Sequence, residues 1–491
     1  MKDMTLAGMV LLASISHQLT AQNLLGPWDG STTFYVSTTG VNQPPPIGGT
    51  FANPMRSISF ALASAAQISP ASPVTINVFP GTYDMLVENF PLVVPAEGVA
   101  LEALSDGVII TAQGTNQNVI EVRGTRSGAL PEAVIQNFTI TNGLNGVVLD
   151  ESLSGLAVPG WRQETRVRFC QIVSNDNAGI LIRTAADEDG IAFRSEHLIE
   201  RNEISENSIG VAVTSDGGYD ATMIRCNRIF DNDFNVALNV IVGPTIDDPL
   251  DRLFARLCSN FIFDGNIASV QVSGGTTFLI NNTIADSVLG LDVGSNSTVD
   301  VASTIFWNPA GMDLQMSTVG VAAQFRHCDF QNPAALTLAN GFPNSQFNVS
   351  QDPLFVGVFD YHLTADSPLI DQGDHMRVEP AAAGEAIVAQ DPTWVVPLAP
   401  GLDIDWEPRI LRMQGRTSPN LVPVEDNREN DTWYVDIGAD EVNHVNFLAA
   451  PPPGNFTETS LIVTSSLPQT LDRAGTVRGS ASPTLTFDVA V

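Results

Sequence analysis

The chain has 491 residues, of which 15% are charged, and its 54 acidic and 22 basic residues give a formal net charge of −32. Nucleic acids and anionic membranes bind basic surfaces, so this composition argues against both as partners. Lys2 is the only lysine, so a mature chain without it has no lysine-based mechanism, and no later segment is apolar for long enough to span a membrane.

The first residues have the order of a secretory signal. Lys2 precedes a mostly apolar stretch over residues 6–15, and Leu19-Thr20-Ala21 ends in a small residue. This layout predicts a signal peptide over residues 1–21, cleaved after Ala21, with an ordinary N-terminal helix as the alternative. We therefore expect a secreted protein that is extracellular or held at the cell surface.

A helical cap is predicted near the N-terminus. Residues 57–67, SISFALASAAQ, have the apolar spacing of a short amphipathic helix. The strand-like text VTINVFPGTY follows and ends in a Pro-Gly turn. A solenoid needs an element that covers its open first coil, so residues 22–69 are predicted to be an N-terminal segment with such a cap.

One phrase repeats from about residue 135: an apolar residue before an Asn-rich turn, then a short alternating strand. Each unit is too small to bury its own apolar face, so successive units must stack. With parallel stacking and right-handed crossovers, this predicts an all-β fold, a right-handed parallel β-helix over residues 70–335. A β-sandwich would not repeat these parts in one constant order. The repeated apolar residues are Ile140, Ile172, Ile204, Ile229, Ile262, Ile284, Ile305 and Phe330.

The alternating strands and turns predict which side chains meet between coils. Alternation directs every second residue of a strand inward. The turn asparagines are predicted to take left-handed backbone geometry and to stack their amides. The inward residues are Val147, Leu149, Ile180, Ile182, Val211, Val213, Leu291 and Val293. The turn asparagines are Asn175, Asn207, Asn232 and Asn308.

The repeat fades after residue 335. Residues 336–446 are predicted to be a loop-rich C-terminal part of the β-helix domain with a cap. Residues 447–491 read as a Pro-rich linker and a Ser/Thr-rich tail. The tail is either a module that attaches the protein to the cell surface or a mobile end.

The four cysteines leave two interpretations open: disulfides or buried thiols. Cys226 and Cys258 occupy nearby positions in successive repeats, so a bridge between them is geometrically possible. Cys170 and Cys328 are several coils apart and should not reach each other. Their spacing does not match a zinc site.

Several segments carry a family resemblance. FYVSTTG, SISFALASAA and VTINVFPGTYD near the N-terminus, with DPLFVG, DYHLTADSPLIDQGD, DIDWEPR and VDIGADE later, resemble secreted bacterial right-handed parallel β-helix proteins of the pectate-lyase-like superfamily. The resemblance covers roughly residues 33–442. It implies the fold and an association with carbohydrate, whereas activity differs among members.

The same resemblance directs attention to two kinds of catalyst. Polysaccharide lyases of this fold use an Arg or Lys base and often calcium, and polygalacturonase-like hydrolases carry Gly-His-Gly and Arg-Ile-Lys, which are absent here. Arginines at such coil positions are more often partners of nearby acids. The histidines lack the spacing of a nucleophile or metal site, and His197 and His327 are expected to make structural hydrogen bonds. The coil arginines are Arg166, Arg168, Arg183, Arg194, Arg225 and Arg228.

A candidate site lies in the loops that follow the alternating strands of four successive coils, called the loop face. Insertions at one coil position stack on one face of a solenoid. Carboxylates there are predicted to bind calcium, aromatic rings to stack on sugars, and arginines to bind acidic groups. The alternative is a solvated acidic loop set. The predicted calcium ligands are Asp187, Glu188, Asp189, Asp216 and Asp220, and the predicted carbohydrate contacts are Trp161, Tyr219, Arg183 and Arg194.

The sequence leaves three possible functions open. The first is a secreted protein that binds extracellular polysaccharide, with binding favoured over catalysis. The second is a polysaccharide lyase or glycosidase, which should place an acid–acid or acid–Arg pair in a groove. The third is a structural or adhesive spacer at the cell surface, which should have a featureless lateral face.

Overall fold

The computed structural model describes residues 32–44, 48–68, 72–124, 131–150, 162–185, 194–216, 219–220, 222–241, 254–364, 366–370, 372–373, 411–412, 433–434 and 436–439. The predicted signal peptide and the tail 447–491 lie outside these residues, so the division of the chain into domains stays a prediction. Within the described parts, no helix has the length and apolar character needed to cross a membrane.

The chain winds through three parallel sheets in a fixed order, which confirms the predicted all-β, right-handed parallel β-helix. The first sheet contains Thr32–Val36, Val74–Val78, Val99–Ala103, Ala133–Gln136, Thr165–Arg168, Leu198–Glu200, Met223–Arg225, Phe254–Cys258, Gly275–Ile280, Ser297–Ala302 and Ala322–Arg326. The second contains Gly81–Tyr83, Val108–Thr111, Thr139–Thr141, Gln171–Val173, Glu203–Ser205, Arg228–Phe230, Phe261–Phe263, Thr283–Ala285, Ile305–Trp307 and Asp329–Phe330. The third contains Leu92–Pro95, Ile120–Arg123, Asn145–Asp150, Ala178–Ala185, Ile209–Asp216, Phe234–Ile241, Ala268–Ser273, Leu289–Val293 and Met312–Met316.

The remaining described elements are two helices and three small sheets. Helix α1 is Ile58–Ile68 and helix α2 is Pro333–Asn340. A parallel three-stranded sheet contains Arg162–Gln163, Arg194–Ser195 and Tyr219–Asp220. Two antiparallel pairs are Phe355–Gly357 with Asp360–Leu363, and Leu411–Arg412 with Trp433–Tyr434.

A column of inward side chains from the second sheet forms one wall of the core. Ile140, Ile172, Ile204, Ile229, Ile262 and Ile284 occupy paired positions in successive strands and are fully buried. The column continues through Phe306 and Phe330, whose rings stack 5.0 Å apart. The third sheet contributes a second wall through the predicted inward residues, among them Val147, Ile180 and Val211. The predicted inward register is therefore confirmed, except at one coil.

The exception is Ile305, which the repeat predicted to be inward. Phe306 pairs with Ile284 instead, and Ile305 pairs with Thr283 on the outer face. Ile305 is buried there by Leu363 and Ile437 of the C-terminal part. Two adjacent apolar residues made the phrase STIFWN ambiguous, and only the stacked partner coil fixes which one faces the core.

The turn asparagines stack as predicted, but their backbone differs from the prediction. Asn175 donates a side-chain hydrogen bond to Oδ1 of Asn207 at 3.0 Å, and Asn207 donates to Asn232 at 3.1 Å. The residue with left-handed backbone is the one before each asparagine, with φ between 53° and 57° at Ser174, Glu206 and Asp231. The asparagine needs a regular backbone because its Oδ1 must accept from the previous coil. Asn308 lies apart from this stack and donates to Asp313 at 3.0 Å.

A second asparagine ladder, not predicted from the sequence, joins the turns between the first and second sheets. Asn202, Asn227, Asn260 and Asn282 are fully or almost fully buried, and each of the first three donates to the next at 2.9–3.0 Å. In every coil the ladder residue precedes the inward residue by two positions. The ladder therefore fixes the register of the core column, including the assignment of Phe306 after Thr304.

Helix α1 covers the N-terminal end of the core, close to the predicted cap at residues 57–67. Ser57 accepts from the Phe60 amide at 3.3 Å, and the Glu88 carboxylate accepts from Ile58 and Ser59 amides at 2.6 and 2.8 Å. These acceptors satisfy the free N–H groups of the first turn. The first sheet begins before this helix, since Thr32–Val36 pairs with Val74–Val78.

The C-terminal part covers the outer face of the second sheet. The ring of Tyr361 lies 4.8 Å from that of Phe263, and its hydroxyl donates to Asp286 at 2.9 Å. The motif VDIGADE has a defined role here, because the Gly438 amide donates to the Ser303 carbonyl at 2.8 Å. Gly438 has a φ of 113°, and a Cβ there would lie 2.7 Å from Cδ1 of Ile305, so only glycine fits.

All four cysteines are buried thiols. Cys170 occupies the position before Asn202 in the second ladder, since its amide donates to Oδ1 of Asn202 at 3.0 Å. Cys328 lies in the last coil of the second sheet, where its amide donates to Asn348 at 3.0 Å. The coil order therefore separates Cys170 from Cys328, as predicted.

Candidate functional site

Part of the predicted loop face lies within the described residues. Asp216 ends the strand Ile209–Asp216 and pairs with Ala185 and Ile241. Arg194 and Tyr219 are paired positions of the three-stranded sheet, and Asp220 pairs with Ser195. These short loop strands pair in parallel, as the strands of the coils do, so the loops also stack from one coil to the next. Trp161, Asp187, Glu188 and Asp189 lie outside the described residues, so the calcium and carbohydrate roles of the loop face stay predictions.

Arg183 is the loop-face residue whose side chain is described. It pairs in register with Asp150, and its Nη1 lies 3.7 Å from Oδ2 of Asp150, while 57% of the Arg183 side chain is exposed. Asp150 itself is almost fully buried. The guanidinium therefore compensates a buried carboxylate and is held at the edge of the third sheet.

The other coil arginines with described side chains also have partners. Arg166 pairs with Glu132 at 2.6 Å, Arg168 donates to Gln136 at 2.7 Å, and Arg225 pairs with Glu200 at 2.7 Å. Burial lowers the pKa of Arg225, but the neighbouring Glu200 outweighs it and holds that pKa above its ordinary value. A guanidinium in such a pair stays protonated, so it does not serve as the base of a lyase.

The two histidines expected to make structural hydrogen bonds differ. His327 does so, with Nδ1 2.7 Å from the Gln372 carbonyl oxygen. His197 lies two residues before the inward Ile199, so alternation directs it into the core, where both ring nitrogens are buried without a hydrogen-bond partner among the described residues. Burial lowers the pKa of His197 to about 3.

A row of carboxylates follows the second sheet, at the turn into the third. Glu206, Asp231, Asp264 and Asp286 occupy the left-handed position in four successive coils and are exposed. Amide-to-carbonyl hydrogen bonds of 3.0 and 3.1 Å join Glu206 to Asp231 and Asp231 to Asp264. Successive acids are therefore about one strand spacing, 4.8 Å, apart. We call these four residues the carboxylate row.

The acids of this row affect one another. Partial burial, together with the charges of Asp264 and Glu206, raises the pKa of Asp231. Partial burial and the charge of Asp286 likewise raise the pKa of Asp264. Like charges at this spacing disfavour ionisation of both groups. A cation or a hydrogen-bond donor placed along the row would relieve the repulsion.

A shallow groove of about 500 Å³ runs beside one end of the row. Its lining is polar and acidic, and it repeats from coil to coil because each contribution comes from an equivalent turn. Ser174 donates to Glu206 at 2.7 Å within it. The groove is lined by Ser174, Asn175, Asp176, Glu206, Asn207, Ser208, Asp231, Asp233 and Asn266.

Aromatic rings flank the row on the side of the second sheet. Phe230 and Phe263, each directly before an acid of the row, stack with centroids 4.9 Å apart and ring planes 1° apart. Phe359 at the tip of the hairpin lies 6.4 Å from Phe263 and is 48% exposed. The Arg228 guanidinium lies 5.8 Å from the Phe263 ring. Phe263 is buried and Phe230 is half-buried, so the exposed groups of this face are the acids, the ring of Phe359 and the Arg228 guanidinium.

No group of three or more His, Cys, Asp or Glu side chains suited to hold a metal ion is present in the described part of the chain. The carboxylate row is linear, whereas calcium takes six to eight oxygen ligands arranged around it. The row on its own therefore does not form a calcium cage.

The sequence contained the signal for this row, although it was not recognised as a site. The phrases NEISEN, NRIFDN, NFIFDGN and NTIADS each place an acid directly before the turn residue. The sequence analysis considered acids only in the loop face and gave these four residues no role. Their common left-handed position becomes evident only once the turn residue is known to belong to a ladder.

No family model matches the chain, and no curated protein matches it. Among solved structures, the chain is similar to pectate lyase Pel9A, with 13% identity and a TM-score of 0.43 over 70% of this chain and 92% of that one. It is also similar to XylC in complex with xylose, with 11% identity and a TM-score of 0.39 over 61% of this chain and 75% of that one.

A rhamnogalacturonan lyase is a further similar structure, with 11% identity and a TM-score of 0.29 over 66% of this chain and 91% of that one. The fold that the sequence motifs implied, a right-handed parallel β-helix, is confirmed by the three parallel sheets.

Proposed function

We propose that this protein binds extracellular polysaccharide along the carboxylate row and the exposed ring of Phe359 beside it. The observation that carries the proposal is the line of four acids on successive coils, with the exposed ring of Phe359 packed on the second sheet beside it. Sugar hydroxyls donate hydrogen bonds to carboxylates, and the apolar faces of sugar rings pack against aromatic rings. A row of acids that repeats over four successive coils suits a linear, repeating polymer.

The charge of the face selects among polysaccharides. The carboxylates on adjacent coils already repel each other, and a uronic acid polymer would add to this repulsion. Neutral or amino-sugar polymers therefore bind the row directly, whereas acidic polymers need a bridging cation. The predicted loop-face acids, such as Asp187 and Asp189, are the residues that we propose to supply calcium for that second case.

Binding is favoured over catalysis because the described arginines of the coils are held by acids or aromatic rings. Glycoside hydrolysis is the second candidate, and one observation favours it. Asp231 and Asp264 lie on adjacent coils and both have raised pKa values, and retaining glycosidases use two carboxyl groups about 5 Å apart, one of them protonated. Release of reducing ends separates the two candidates.

The proposed place of action is outside the cell, at the surface or in the medium. The support is the predicted signal peptide over residues 1–21 together with a strongly acidic composition. Fractionation of a producing culture, followed by N-terminal sequencing of the protein from the medium, tests this location. A chain that stays inside the cells with residues 1–21 intact would contradict it.

The binding test uses affinity electrophoresis and titration calorimetry with neutral, amino-sugar and uronic polysaccharides, each with and without calcium. We expect the Asp231→Asn/Asp264→Asn variant to lose at least tenfold in affinity for polymers that the wild type binds without calcium. Asp106→Asn, an exposed acid away from the row, is the matched control and should bind as the wild type does.

A Tyr219→Ala variant tests the loop face separately, and it should affect only the calcium-dependent binding of uronic polymers. Equal affinities for wild type and both variants on every polymer would overturn the proposal and leave a structural spacer as the better interpretation.

A further inference from the structure

Cys226 and Cys258 lie on adjacent coils at the turn between the first and second sheets. The Cys226 amide donates to the Cys258 carbonyl oxygen at 3.1 Å, and Arg225 and Cys258 are paired residues. Both cysteines are buried. Neighbouring parallel segments joined in this way are about 5–6 Å apart between Cα atoms, which lies inside the range of about 4.4–6.8 Å that a disulfide spans.

The surroundings place the two thiols on the same side of the sheet. The guanidinium of Arg225 interacts electrostatically with both Cys226 and Cys258. Cys258 also occupies the outer face of its strand, because the adjacent Leu257 faces the core. The two sulfur atoms therefore share one neighbourhood outside the apolar core.

Cys170 and Cys328 have a different environment. The Cys170 sulfur lies 3.8 Å from the carbonyl oxygen of Ile135, and the Cys328 sulfur lies 3.6 Å from that of Val301. Each of these carbonyl groups belongs to the preceding coil. Burial raises the pKa of both thiols to about 12. Neither has another cysteine on an adjacent coil, because Cys170 and Cys328 are separated from the other two by intervening coils, so these two cysteines serve as internal controls.

We infer that Cys226 and Cys258 form a disulfide between adjacent coils when the chain folds in an oxidising compartment, while Cys170 and Cys328 remain thiols. One cysteine thiolate attacks a low-molecular-mass disulfide such as oxidised glutathione, which releases one glutathione thiol and leaves a mixed disulfide. The second cysteine thiolate attacks that mixed disulfide and releases the second glutathione. Two protein thiols and one glutathione disulfide thus become one protein disulfide and two reduced glutathiones.

The timing of this step follows from burial. Neither thiol is accessible in the folded chain, so exchange takes place before the coils close over it. The bridge then restricts the unfolded chain across 32 positions of sequence, which stabilises the fold. Reduction of the unfolded chain before refolding removes this stabilisation.

The experiment refolds the urea-denatured full chain in a glutathione redox buffer, acidifies it to stop exchange, unfolds it again in urea with iodoacetamide to block every free thiol, and maps the proteolytic peptides by mass spectrometry. We expect a Cys226–Cys258 crosslinked peptide lighter by two hydrogen atoms than its separate halves, with Cys170 and Cys328 alkylated. Four alkylated cysteines, or a bridge that includes Cys170 or Cys328, would overturn the inference.

Variants give an independent measurement. Refolding with reductant should lower the melting temperature of the wild type by several degrees and leave that of Cys226→Ala unchanged. Cys170→Ala, a matched buried control, should keep the difference between oxidised and reduced samples. Equal melting temperatures for oxidised and reduced wild type would also count against the bridge.

Discussion

The hydroxyl of Tyr361 donates a hydrogen bond of 2.9 Å to Oδ2 of Asp286, the last acid of the carboxylate row. The C-terminal part is thereby joined to the proposed binding face, and the ring of Tyr361 packs on Phe261 and Phe263 of the second sheet. Replacing Tyr361 separates these two contributions.

We expect Tyr361→Phe to lower the free energy of unfolding by about 1–2 kcal/mol, because the ring contacts remain and only the hydrogen bond to a carboxylate is lost. Tyr361→Ala should cost about 3–5 kcal/mol, since it also leaves a cavity. Urea denaturation followed by circular dichroism measures both. Tyr35→Phe, at the N-terminal end of the first sheet, should be close to neutral, and an equal loss at both positions would contradict the role of Asp286.

The second asparagine ladder predicts a large effect of a small substitution. Asn227 accepts from the amide and side chain of Asn202 and donates to Asn260 at 3.0 Å. Asn227→Ala should lower the free energy of unfolding by about 3 kcal/mol or more, because several buried groups lose their partners at once. Asn266→Ala, at an exposed turn, should change stability by less than about 0.5 kcal/mol. Similar midpoints of urea unfolding for the two variants would show that the ladder is dispensable.

The inward register predicts that a charge is not tolerated at Ile204. Ile204 is fully buried between Ile172 and Ile229, so Ile204→Asp places an unpaired carboxylate in the core. We expect loss of cooperative unfolding or a melting temperature far below that of the wild type. Ile267→Asp, at a position 50% exposed, should melt near the wild type. A stable Ile204→Asp variant would mean that the register is wrong.

His197 predicts sensitivity to acid. Its pKa is about 3 in the fold against an ordinary value of 6.5, so the unfolded chain takes up a proton as the pH falls below 6.5 while the folded chain does not. Stability should therefore fall between pH 6.5 and pH 3, and this part of the slope should be absent in His197→Leu. Urea midpoints at several pH values measure the difference. Parallel pH profiles for the two proteins would contradict a buried neutral His197.

Asp329 should make stability depend on pH in the opposite direction, at higher pH. Its carboxyl is fully buried, and burial with the charges of Asp313 and Asp352 raises its pKa to about 8, although a hydrogen bond from the Gln351 amide opposes this shift. Since its ordinary value is 3.8, its contribution to stability falls as the pH rises from about 4 to 8 and is constant above. Asp329→Asn should remove this decrease. If the urea midpoints of variant and wild type differ by the same amount at pH 5 and at pH 9, the raised pKa of Asp329 would be contradicted.

The core of this fold could be predicted from sequence because its signal is repeated many times. Alternation placed Val147, Ile180 and Val211 inward correctly, since each strand confirms its neighbours. The inward assignment of Ile305 was wrong because two adjacent apolar residues are both buried. Phe306 lies in the core, and Ile305 lies under the C-terminal part. Local hydrophobicity could not separate these two kinds of burial.

The candidate site was less accessible to sequence analysis. The loop face was chosen because its acids cluster with Trp161 and Tyr219, which is a compositional signal. The carboxylate row depends on backbone geometry, because Asp231 and Asp264 align only through their left-handed turns. Likewise, the arginine–acid pair of Arg225 and Glu200 joins residues 25 positions apart, and its register follows from the lengths of the intervening loops.

The C-terminal part contacts the coils across a long stretch of chain, since Asn281 donates to the Asp436 carbonyl and Ala439 donates to Thr283 over 155 and 156 positions. During synthesis, which proceeds from the N-terminus, the coils are complete long before residues 436–439 arrive. The rings of Phe261 and Phe263 therefore face solvent in the growing chain. Folding of the growing chain thus depends on protection of this apolar face against aggregation until the C-terminal part has emerged.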